Sequence, residues 1–547
     1  MTHTQINKIH GFSLDKLESL LEKWGSNYNL LSQILSHTIR IGNFHHNSGC
    51  SSRLLNAYAK LNKPDEARKV FDLIPNPNVG LWTSLQNLYL NNKQPTKALM
   101  VFSELILSDS EKPDSHSIVA ALSACARSKD LKNGSSIHGM VYKYIQEPRP
   151  NVHNALIDMY GKNQRVVLAE RVFSNIDFRD VAIWTSLLHG YILSGDMESA
   201  KRVFDEMPHR NVVSWTALIV GYVRKKNPIE ALEFFTRMRH VDKGDNCNPT
   251  TVTIVAVLSG CADIGALNLG SSIHGYIKKR KGFASDVYIN NGLIDMYGKS
   301  GNLDSSVKLF DNMKRKDLFS WTTMISCLAL NSKGKQAISI FEAMVESGLK
   351  PNEVTFLSVL SACSHAGLVN EGERLFEKFV KGYKMKPWIE HFGCMVDLFI
   401  RAGRLEKAIR LIKEMPMKPD AVIWRSLLGA CLGSGNLELA EIAGEKAVEL
   451  EPDDDAVYVL LWSIYRSRNR WDDALRVMKM MRERRIKKMP GCSWIEVDGV
   501  FHEFLAESMQ HGDGNDLSIV LDGINEQSKM DTFYVFLNEH ETMELVS

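Results

Sequence analysis

Residues 291–299 read NGLIDMYGK, and residues 154–162 read NALIDMYGK, so one phrase occurs twice with a single substitution. The apolar residues of the later copy fall at the spacing of one helical face. Gly301 and Asn302 break this face, and a second apolar face begins at Val307. The phrase therefore predicts a pair of short helices joined by a tight turn.

Other phrases recur around this one, which shows that the chain is built from repeats. They are LWTSL, IWTSL, SWTAL, SWTTM and IWRSL around Trp82, Trp184, Trp215, Trp321 and Trp424; KVFDLIP, RVFDEMP and KLFDNMK from Lys69, Arg202 and Lys308; and LSACA, LSGCA and LSACS from Leu122, Leu258 and Leu360. Aligning them divides the chain into the units 13–47, 48–78, 79–114, 115–149, 150–180, 181–211, 212–250, 251–286, 287–317, 318–352, 353–388 and 389–420, followed by 421–454 and 455–491. A helix pair of this length cannot bury both of its faces alone, so stacked neighbours must supply a continuous core. We predict an all-α fold, an α-solenoid of helix-turn-helix repeats.

Composition narrows the class of protein. The 547 residues are 44% apolar, which is enough for a large core and excludes a disordered chain. The net charge of +2 excludes binding to nucleic acid by charge alone. The nine cysteines include no C-x-x-C, which favours a reducing compartment over a disulfide framework. No apolar run approaches the roughly 20 residues of a membrane span, so no membrane is expected as a partner.

The repeated phrases resemble those of the plant pentatricopeptide repeat family, in its PLS subclass with alternating repeat lengths. The resemblance covers residues 13–510 and implies a right-handed superhelix. Units 421–491 resemble the E motif, two tetratricopeptide-like units, and 492–510 resembles the E+ segment, with Asp498-Gly499 as the turn of a short β-hairpin. Residues 1–12 are a short N-terminal segment, and 511–547 form a degenerate tail in which the deaminase domain of longer family members is not recognised.

The resemblance implies a role in RNA metabolism. Similar proteins select sites of C-to-U editing in organelle transcripts by binding single-stranded RNA, and we expect a deaminase-bearing partner and accessory editing factors to act in trans. We expect a monomer in the mitochondrion, with the chloroplast as the alternative. Two other functions stay open: an RNA splicing, stability or translation factor with the same repeats, and a tetratricopeptide-like protein scaffold that binds no RNA.

In the family, the fifth and the last residue of a repeat read one base at the inner face of the superhelix. An Asp at the last position accepts a ring N–H of guanine or uracil, whereas an Asn donates to the bare ring nitrogen of adenine or cytosine. The corresponding pairs are Ser52 with Asn78 (A), Thr83 with Asp114 (G), Asn154 with Asp180 (U), Thr185 with Asn211 (A), Thr216 with Thr250 (purine), Asn291 with Asp317 (U) and Thr322 with Asn352 (A). The alternative is that each Asp or Asn only caps the next helix.

The remaining units do not match the code, and the longer ones are expected to act as spacers. Their pairs are Val119 with Arg149, Val255 with Asp286, Leu357 with Trp388, and Gly393 with Asp420. With unit 389–420 placed four nucleotides before the edited C, as in the family, the predicted target is n-A-G-n-U-A-R-n-U-A-n-n-n-n-n-C. Phosphate contacts are expected from 224–226, 278–281 and 314–316, where Lys and Arg cluster.

No catalytic, cofactor or metal site is predicted. A zinc deaminase needs H-x-E and P-C-x-x-C, and neither motif occurs in the sequence. Residues 292–300 have five residues between their glycines, whereas a phosphate loop needs four, and we interpret MYGK as a turn between helices. Cys125, Cys261, Cys363 and Cys431 are each the eleventh residue of a unit, which indicates small buried packing residues. The tryptophans are expected in the core.

Overall fold

A computed structural model describes residues 55, 57–58, 61, 63–74, 76–108, 111–145, 147–240, 247–280, 282–434 and 436–486, and the backbone of 492–497 and 500–505. Ser52, the segments 1–12 and 13–47, the turn 498–499 and the tail 511–547 lie outside the described residues. The chain divides into two compact units, 1–260 and 261–547, each of which is described by itself.

Helices make up the first compact unit. They are α1 (Pro64–Asp72), α2 (Val79–Asn91), α3 (Pro95–Leu107), α4 (Ser115–Ser128), α5 (Leu131–Tyr144), α6 (Pro150–Lys162), α7 (Val166–Ser174), α8 (Val181–Ser194), α9 (Met197–Glu206), α10 (Val212–Arg224), α11 (Pro228–His240) and α12 (Thr251–Ile264), within which the division falls. The even-numbered helices from α2 onwards are the first helices of the sequence repeats, and the odd-numbered ones are the second helices.

The second compact unit continues this alternation. Its helices are α13 (Leu267–Lys278), α14 (Val287–Lys299), α15 (Leu303–Asn312), α16 (Leu318–Leu330), α17 (Gly334–Glu346), α18 (Glu353–His365), α19 (Val369–Glu377), α20 (Ile389–Arg401), α21 (Leu405–Glu414), α22 (Ala421–Ser434), α23 (Leu437–Leu450), α24 (Asp455–Ser467) and α25 (Trp471–Glu483). A π-helical turn, Lys378–Gly382, extends α19 and was not predicted. The antiparallel strands β1 (Cys492–Val497) and β2 (Val500–Leu505) pair as the predicted hairpin, with Val497 opposite Val500.

Within each compact unit, first helices pack side by side. Helix α6 contacts α4 and α8 in the first unit, and α18 contacts α16 and α20 in the second. A second helix packs on the first helix of its own pair and on the first helix of the next, as α3 does on α2 and α4. The prediction of an all-α solenoid of helix-turn-helix repeats is confirmed.

A ring contact between neighbouring repeats explains why two of the sequence phrases recur. The Phe of the VFD-type phrase ends one repeat, and the Trp of the WTSL-type phrase begins the next. Their rings meet edge to face with centroids 4.6 Å apart for Phe204 and Trp215, and 5.0 Å apart for Phe310 and Trp321. Such contacts add to the stabilisation from burial. Trp215 is buried, as expected, and Trp321 is half-buried.

The interpretation of MYGK as a turn between helices is wrong. Gly161 and Gly298 lie inside the last turns of α6 and α14, and the chain turns only after these helices end. A Cβ on Gly298 would lie 2.6 Å from Cβ of Cys327 on the next first helix, so the glycine allows the two helices to approach closely. Packing between helices, and not the geometry of a turn, accounts for the phrase.

No helix of the described residues has the length and apolar character required to cross a membrane.

Candidate nucleic-acid interface

The last residue of a repeat caps the first helix of the next one. In each case a side-chain oxygen accepts the backbone N–H of the third helical residue. The N···O distances are 3.0 Å for Asn78, 2.8 Å for Asp114, 2.9 Å for Asp180, 2.9 Å for Asn211, 2.8 Å for Asp317 and 2.9 Å for Asn352. These six residues are exposed or half-buried, so the cap does not bury them. The capping role that the sequence offered as an alternative is therefore real.

The fifth residues lie in the seam between neighbouring first helices. Thr83 and Thr185 are half-buried and donate to their own helix, at 2.9 Å to Val79 O and 2.6 Å to Val181 O. Asn154 accepts at 2.6 Å from the hydroxyl of Ser186 on the next first helix. These three side chains are therefore half-buried and hydrogen-bonded within the protein.

Asn291 and Asp317 come together directly. Nδ2 of Asn291 lies 3.5 Å from Oδ1 of Asp317. Asn291 is only 1% exposed, and its buried Oδ1 has no hydrogen-bond partner among the described residues. Burial acts to raise the pKa of Asp317, but hydrogen bonds from the backbone and hydroxyl of Ser320 and from Asn291 outweigh it and lower this pKa below its usual value. Asp317 is therefore held as a carboxylate.

Two pairs are joined through a third hydroxyl. Oγ1 of Thr322 lies 2.9 Å from Oγ1 of Thr355, which in turn donates at 2.8 Å to Oδ1 of Asn352. Thr322 is buried, with 8% of its surface exposed. The equivalent distances are 2.7 Å between Thr216 and Thr253, and 3.1 Å between Thr253 and Thr250. Five described pairs remain separate or are joined in this indirect way, and only the pair of Asn291 and Asp317 is in direct contact.

The last residues of the units that do not match the code include both capping and non-capping side chains. Arg149 makes no side-chain cap to α6, and at Trp388 the cap comes from His391, whose Nδ1 accepts the Trp388 N–H at 3.1 Å. Asp286 and Asp420 do cap, at 2.9 Å to Tyr288 N and 2.9 Å to Ile423 N. Capping alone therefore does not separate the readable repeats from the unreadable ones.

A column of exposed apolar residues was missed by the sequence reasoning. The second residue of several first helices, two positions after the capping residue, is large, apolar and largely exposed: Val213, Val252, Tyr288, Phe319, Val354 and Val422. Apolar side chains left in solvent at one repeated position indicate a binding surface. The signal in the sequence was a large apolar residue two positions after the cap residue, which the sequence analysis did not single out.

The Lys and Arg clusters expected to contact RNA phosphates are only partly free of other contacts within the protein. Lys316 donates to the carbonyls of Asp311 and Met313, at 3.4 Å and 3.1 Å, and lies over the ring of Phe310, so it closes the end of α15. Its ammonium group thus already has partners within the protein, and its contact with phosphate stays a prediction. Lys314 and Arg315 beside it are exposed, as are residues 224–226.

The cysteines are packing residues, as predicted. Cys125, Cys363 and Cys431 are fully buried, and burial raises the pKa of the first two to about 12 and that of Cys431 to about 11. Such thiols are poor nucleophiles and poor metal ligands. Within the described part of the chain, no three His, Cys, Asp or Glu side chains form a cluster suited to a metal ion.

Comparison with known proteins agrees with the repeat geometry. The sequence model of the pentatricopeptide repeat matches residues 51–76, 152–179, 182–212, 213–241, 291–318, 354–382 and 390–418. A second model of the same repeat family matches residues 316–365. The chain is 41% identical over 462 residues to a pentatricopeptide repeat-containing protein of Arabidopsis thaliana, covering 84% of this chain and 86% of that protein. The chain belongs to the pentatricopeptide repeat family.

The E motif matches residues 434–496, so this pentatricopeptide repeat protein has the PLS-type array with an E extension. It is also 33% identical to a chloroplastic relative and 36% identical to a mitochondrial one, both from Arabidopsis thaliana. These matches cover 92% and 84% of this chain but 54% and 66% of the relatives, so the chain spans about half to two thirds of their length.

Among solved structures, the maize pentatricopeptide repeat protein PPR10 has a similar fold. The TM-score is 0.58 at 19% sequence identity, and the match covers 88% of this chain and 70% of PPR10.

Proposed function

We propose that this pentatricopeptide repeat protein binds single-stranded RNA and selects its sequence with the fifth and last side chains of its repeats. The observation that carries the proposal is the cap itself. At six repeats a side-chain oxygen of the last residue lies 2.8–3.0 Å from a backbone nitrogen of the next helix, and each of these last residues is exposed or half-buried. A fixed polar atom at each repeat is what reading one base per repeat requires.

The cap also determines which atom is presented. An Asn must turn its amide oxygen towards the helix N–H, so its Nδ2 donor remains for a ligand. A capping Asp keeps a second carboxylate oxygen, which only accepts. Asn211 and Asn352 then suit the bare ring nitrogen of adenine, whereas Asp180 and Asp317 suit the ring N–H of uracil, in agreement with the predicted target.

The exposed apolar residues supply a second part of the site. Tyr288 and Phe319 lie two residues after the capping Asp286 and Asp317, with 70% and 64% of their surfaces exposed. A base whose edge contacts the last residue of a repeat would have its face against such a side chain. Stacking of bases on apolar and aromatic side chains contributes about 1–3 kcal/mol per base in single-stranded complexes.

We propose that this RNA binding directs C-to-U editing of an organelle transcript. The repeats would choose the site, and a deaminase-bearing pentatricopeptide repeat protein with accessory editing factors would carry out the chemistry in trans. The E motif supports a protein-binding role, because Trp471, Leu475 and Met478 lie exposed at helical spacing on one face of α25. We propose that the protein binds RNA as a monomer without a catalytic site of its own.

The proposed location is the mitochondrion, with the chloroplast as the alternative. Relatives named mitochondrial and chloroplastic support an organelle but not one organelle over the other.

Binding is tested with the full-length protein and the 16-nucleotide predicted target in an anisotropy titration. Replacing U by G at the ninth nucleotide, opposite Asn291 and Asp317, should weaken binding about tenfold or more, and Asn291→Thr should reverse the preference. A base change at the eighth nucleotide, opposite the spacer 251–286, is the matched control and should have little effect. Equal affinity for all of these RNAs would refute base reading, and no binding to any of them would favour a protein scaffold.

The cellular step is tested by comparing organelle RNA with and without the gene. Loss of one C-to-U event whose upstream nucleotides match the target supports editing. A missing spliced product or an unstable transcript, with all editing intact, would instead favour the alternative role in RNA processing.

A further inference from the structure

The third residue of several first helices is a buried hydroxyl where an aliphatic side chain would also pack. Ser117, Ser214, Thr253, Ser320 and Thr355 are all fully buried. At the same position Leu81 and Ile183 are equally buried. Burial of a hydroxyl is unfavourable unless it is hydrogen-bonded, so these five residues have a role that packing alone does not explain.

The hydroxyls make two kinds of contact with the preceding capping residue. Ser117 and Ser214 donate to its main-chain carbonyl, at 3.0 Å to Asp114 O and 2.9 Å to Asn211 O. Ser320 donates instead to the side chain, at 2.8 Å to Asp317 Oδ1. Only contacts of the second kind can orient the group that would meet a base.

Thr355 makes the same side-chain contact and also reaches the fifth residue. Its Oγ1 donates to Asn352 Oδ1 at 2.8 Å and lies 2.9 Å from Thr322 Oγ1. Thr253 stands in the same relation to Thr250 and Thr216, at 3.1 Å and 2.7 Å. One hydroxyl of the following repeat thus joins both members of a proposed base-reading pair.

The hydrogen bonds at this junction determine which polar atoms the pair presents to a ligand. Asn352 Oδ1 already accepts the Thr355 N–H at 2.9 Å, so with the hydroxyl it has two donors, and Nδ2 is the remaining polar atom. The single proton of Thr322 points either to Leu318 O at 2.8 Å or to Thr355, in both cases into the protein. The pair therefore presents a donor on Asn352 and only an acceptor on Thr322.

We infer that the third-residue hydroxyls of Thr253, Ser320 and Thr355 are specificity-determining positioning residues, which orient the base-reading side chains of the repeat before them. The inference rests on the proposed function. It assigns part of the recognition at one repeat to a residue of the next repeat. Where the third residue of the next first helix is aliphatic, as with Leu81 and Ile183, no hydroxyl orients the base-reading side chains.

The test is Thr355→Val in the full-length protein, because valine keeps the shape and removes the hydroxyl. Affinity is measured for the target and for RNAs with each other base at the tenth nucleotide. The wild type should prefer adenine, and the variant should lose about fivefold to tenfold of that preference while keeping its thermal midpoint within a few degrees. Thr355→Ser should restore the preference. Ser320→Ala, examined at the ninth nucleotide, is a second and independent variant.

Ser214→Ala is the matched control, because it removes a buried capping hydroxyl that contacts only the main chain. It should leave the base preference at the sixth nucleotide unchanged. No preference in the wild type would refute the proposed function itself. A wild-type preference that survives in both Thr355→Val and Ser320→Ala would refute this inference alone, as would equal losses in these variants and in Ser214→Ala.

Discussion

Nδ2 of Asn291 lies 3.5 Å from Oδ1 of Asp317, and these residues are the fifth and the last of one repeat. The same Oδ1 accepts the N–H and the hydroxyl of Ser320, both at 2.8 Å. The cap, the contact with Asn291 and the hydroxyl of Ser320 thus all use Oδ1 of Asp317, and its Oδ2 remains for a ligand. Capping and base reading, which look like competing explanations in the sequence, use different atoms and are compatible.

The first prediction concerns Asp317→Asn. An asparagine oxygen can accept the N–H of Ser320, so the cap survives and the free energy of unfolding should change by no more than about 0.5 kcal/mol. The group presented to RNA changes from an acceptor to a donor. Preference at the ninth nucleotide should therefore move from uracil to cytosine by roughly tenfold, which titrations with the two RNAs would measure.

Asp317→Ala is the comparison for this variant, since it removes both the cap and the reading group. It should cost about 1 kcal/mol of stability and leave no preference between uracil and cytosine. An Asp317→Asn protein that still prefers uracil would show that the last residue does not read the base.

The helix pairs and the stacked solenoid were predictable because they depend on local patterns. Apolar spacing sets the helical faces, and Asn or Asp before a first helix marks its start. The exposure of Phe319 was not predictable in this way, because an apolar residue in a helix is buried or exposed according to which neighbours cover it. The burial of Asn291 likewise depends on the packing of the next first helix, which no single repeat encodes.

A second prediction concerns the close approach of first helices. In Gly298→Ala the new Cβ would lie 2.6 Å from Cβ of Cys327, so α14 and α16 must move apart, at a cost of about 1–3 kcal/mol. Gly275→Ala in α13 is the control, because no atom lies within 4 Å of the added Cβ. That variant should gain up to about 1 kcal/mol from helix propensity.

Denaturant unfolding would measure both glycine variants. The double variant Gly298→Ala, Cys327→Gly should recover part of the loss, because it removes the atoms that the new methyl group meets. If the double variant instead loses the sum of the free energies that Gly298→Ala and Cys327→Gly lose singly, Gly298 serves some purpose other than this contact.

A third prediction concerns pH. Burial lowers the pKa of His391 below its usual 6.5. Nδ1 accepts the Trp388 N–H at 3.1 Å and Nε2 lies 2.8 Å from Glu353 O, so the neutral ring with a proton on Nε2 fits the site. Protonation of Nδ1 would break the cap of α20. The unfolded chain binds the proton first, so stability is full above pH 6.5 and falls as the pH drops towards the folded pKa.

Thermal midpoints between pH 7.5 and 5.5 would measure this effect. His391→Gln should be less stable at pH 7.5 by about 1 kcal/mol, because a cap is weakened, but should lose less on acidification than the wild type. His209→Gln, at an exposed position, is the control and should follow the wild type. Identical pH profiles for all three proteins would mean that His391 does not titrate in this range.

The last prediction separates the exposed apolar column from general surface hydrophobicity. Phe319 lies two residues after the capping Asp317 on a first helix, whereas Met100 lies on the second helix α3, and both are 64% exposed. Because both side chains lie in solvent, Phe319→Ala and Met100→Ala should each change the free energy of unfolding by at most about 0.5 kcal/mol. If bases stack on the column, Phe319→Ala should weaken RNA binding roughly tenfold. The loss should be similar for any base opposite that repeat, because every base offers a face, and Met100→Ala should bind as the wild type does. Equal affinities of the two variants would place the strand away from the second residues of the first helices.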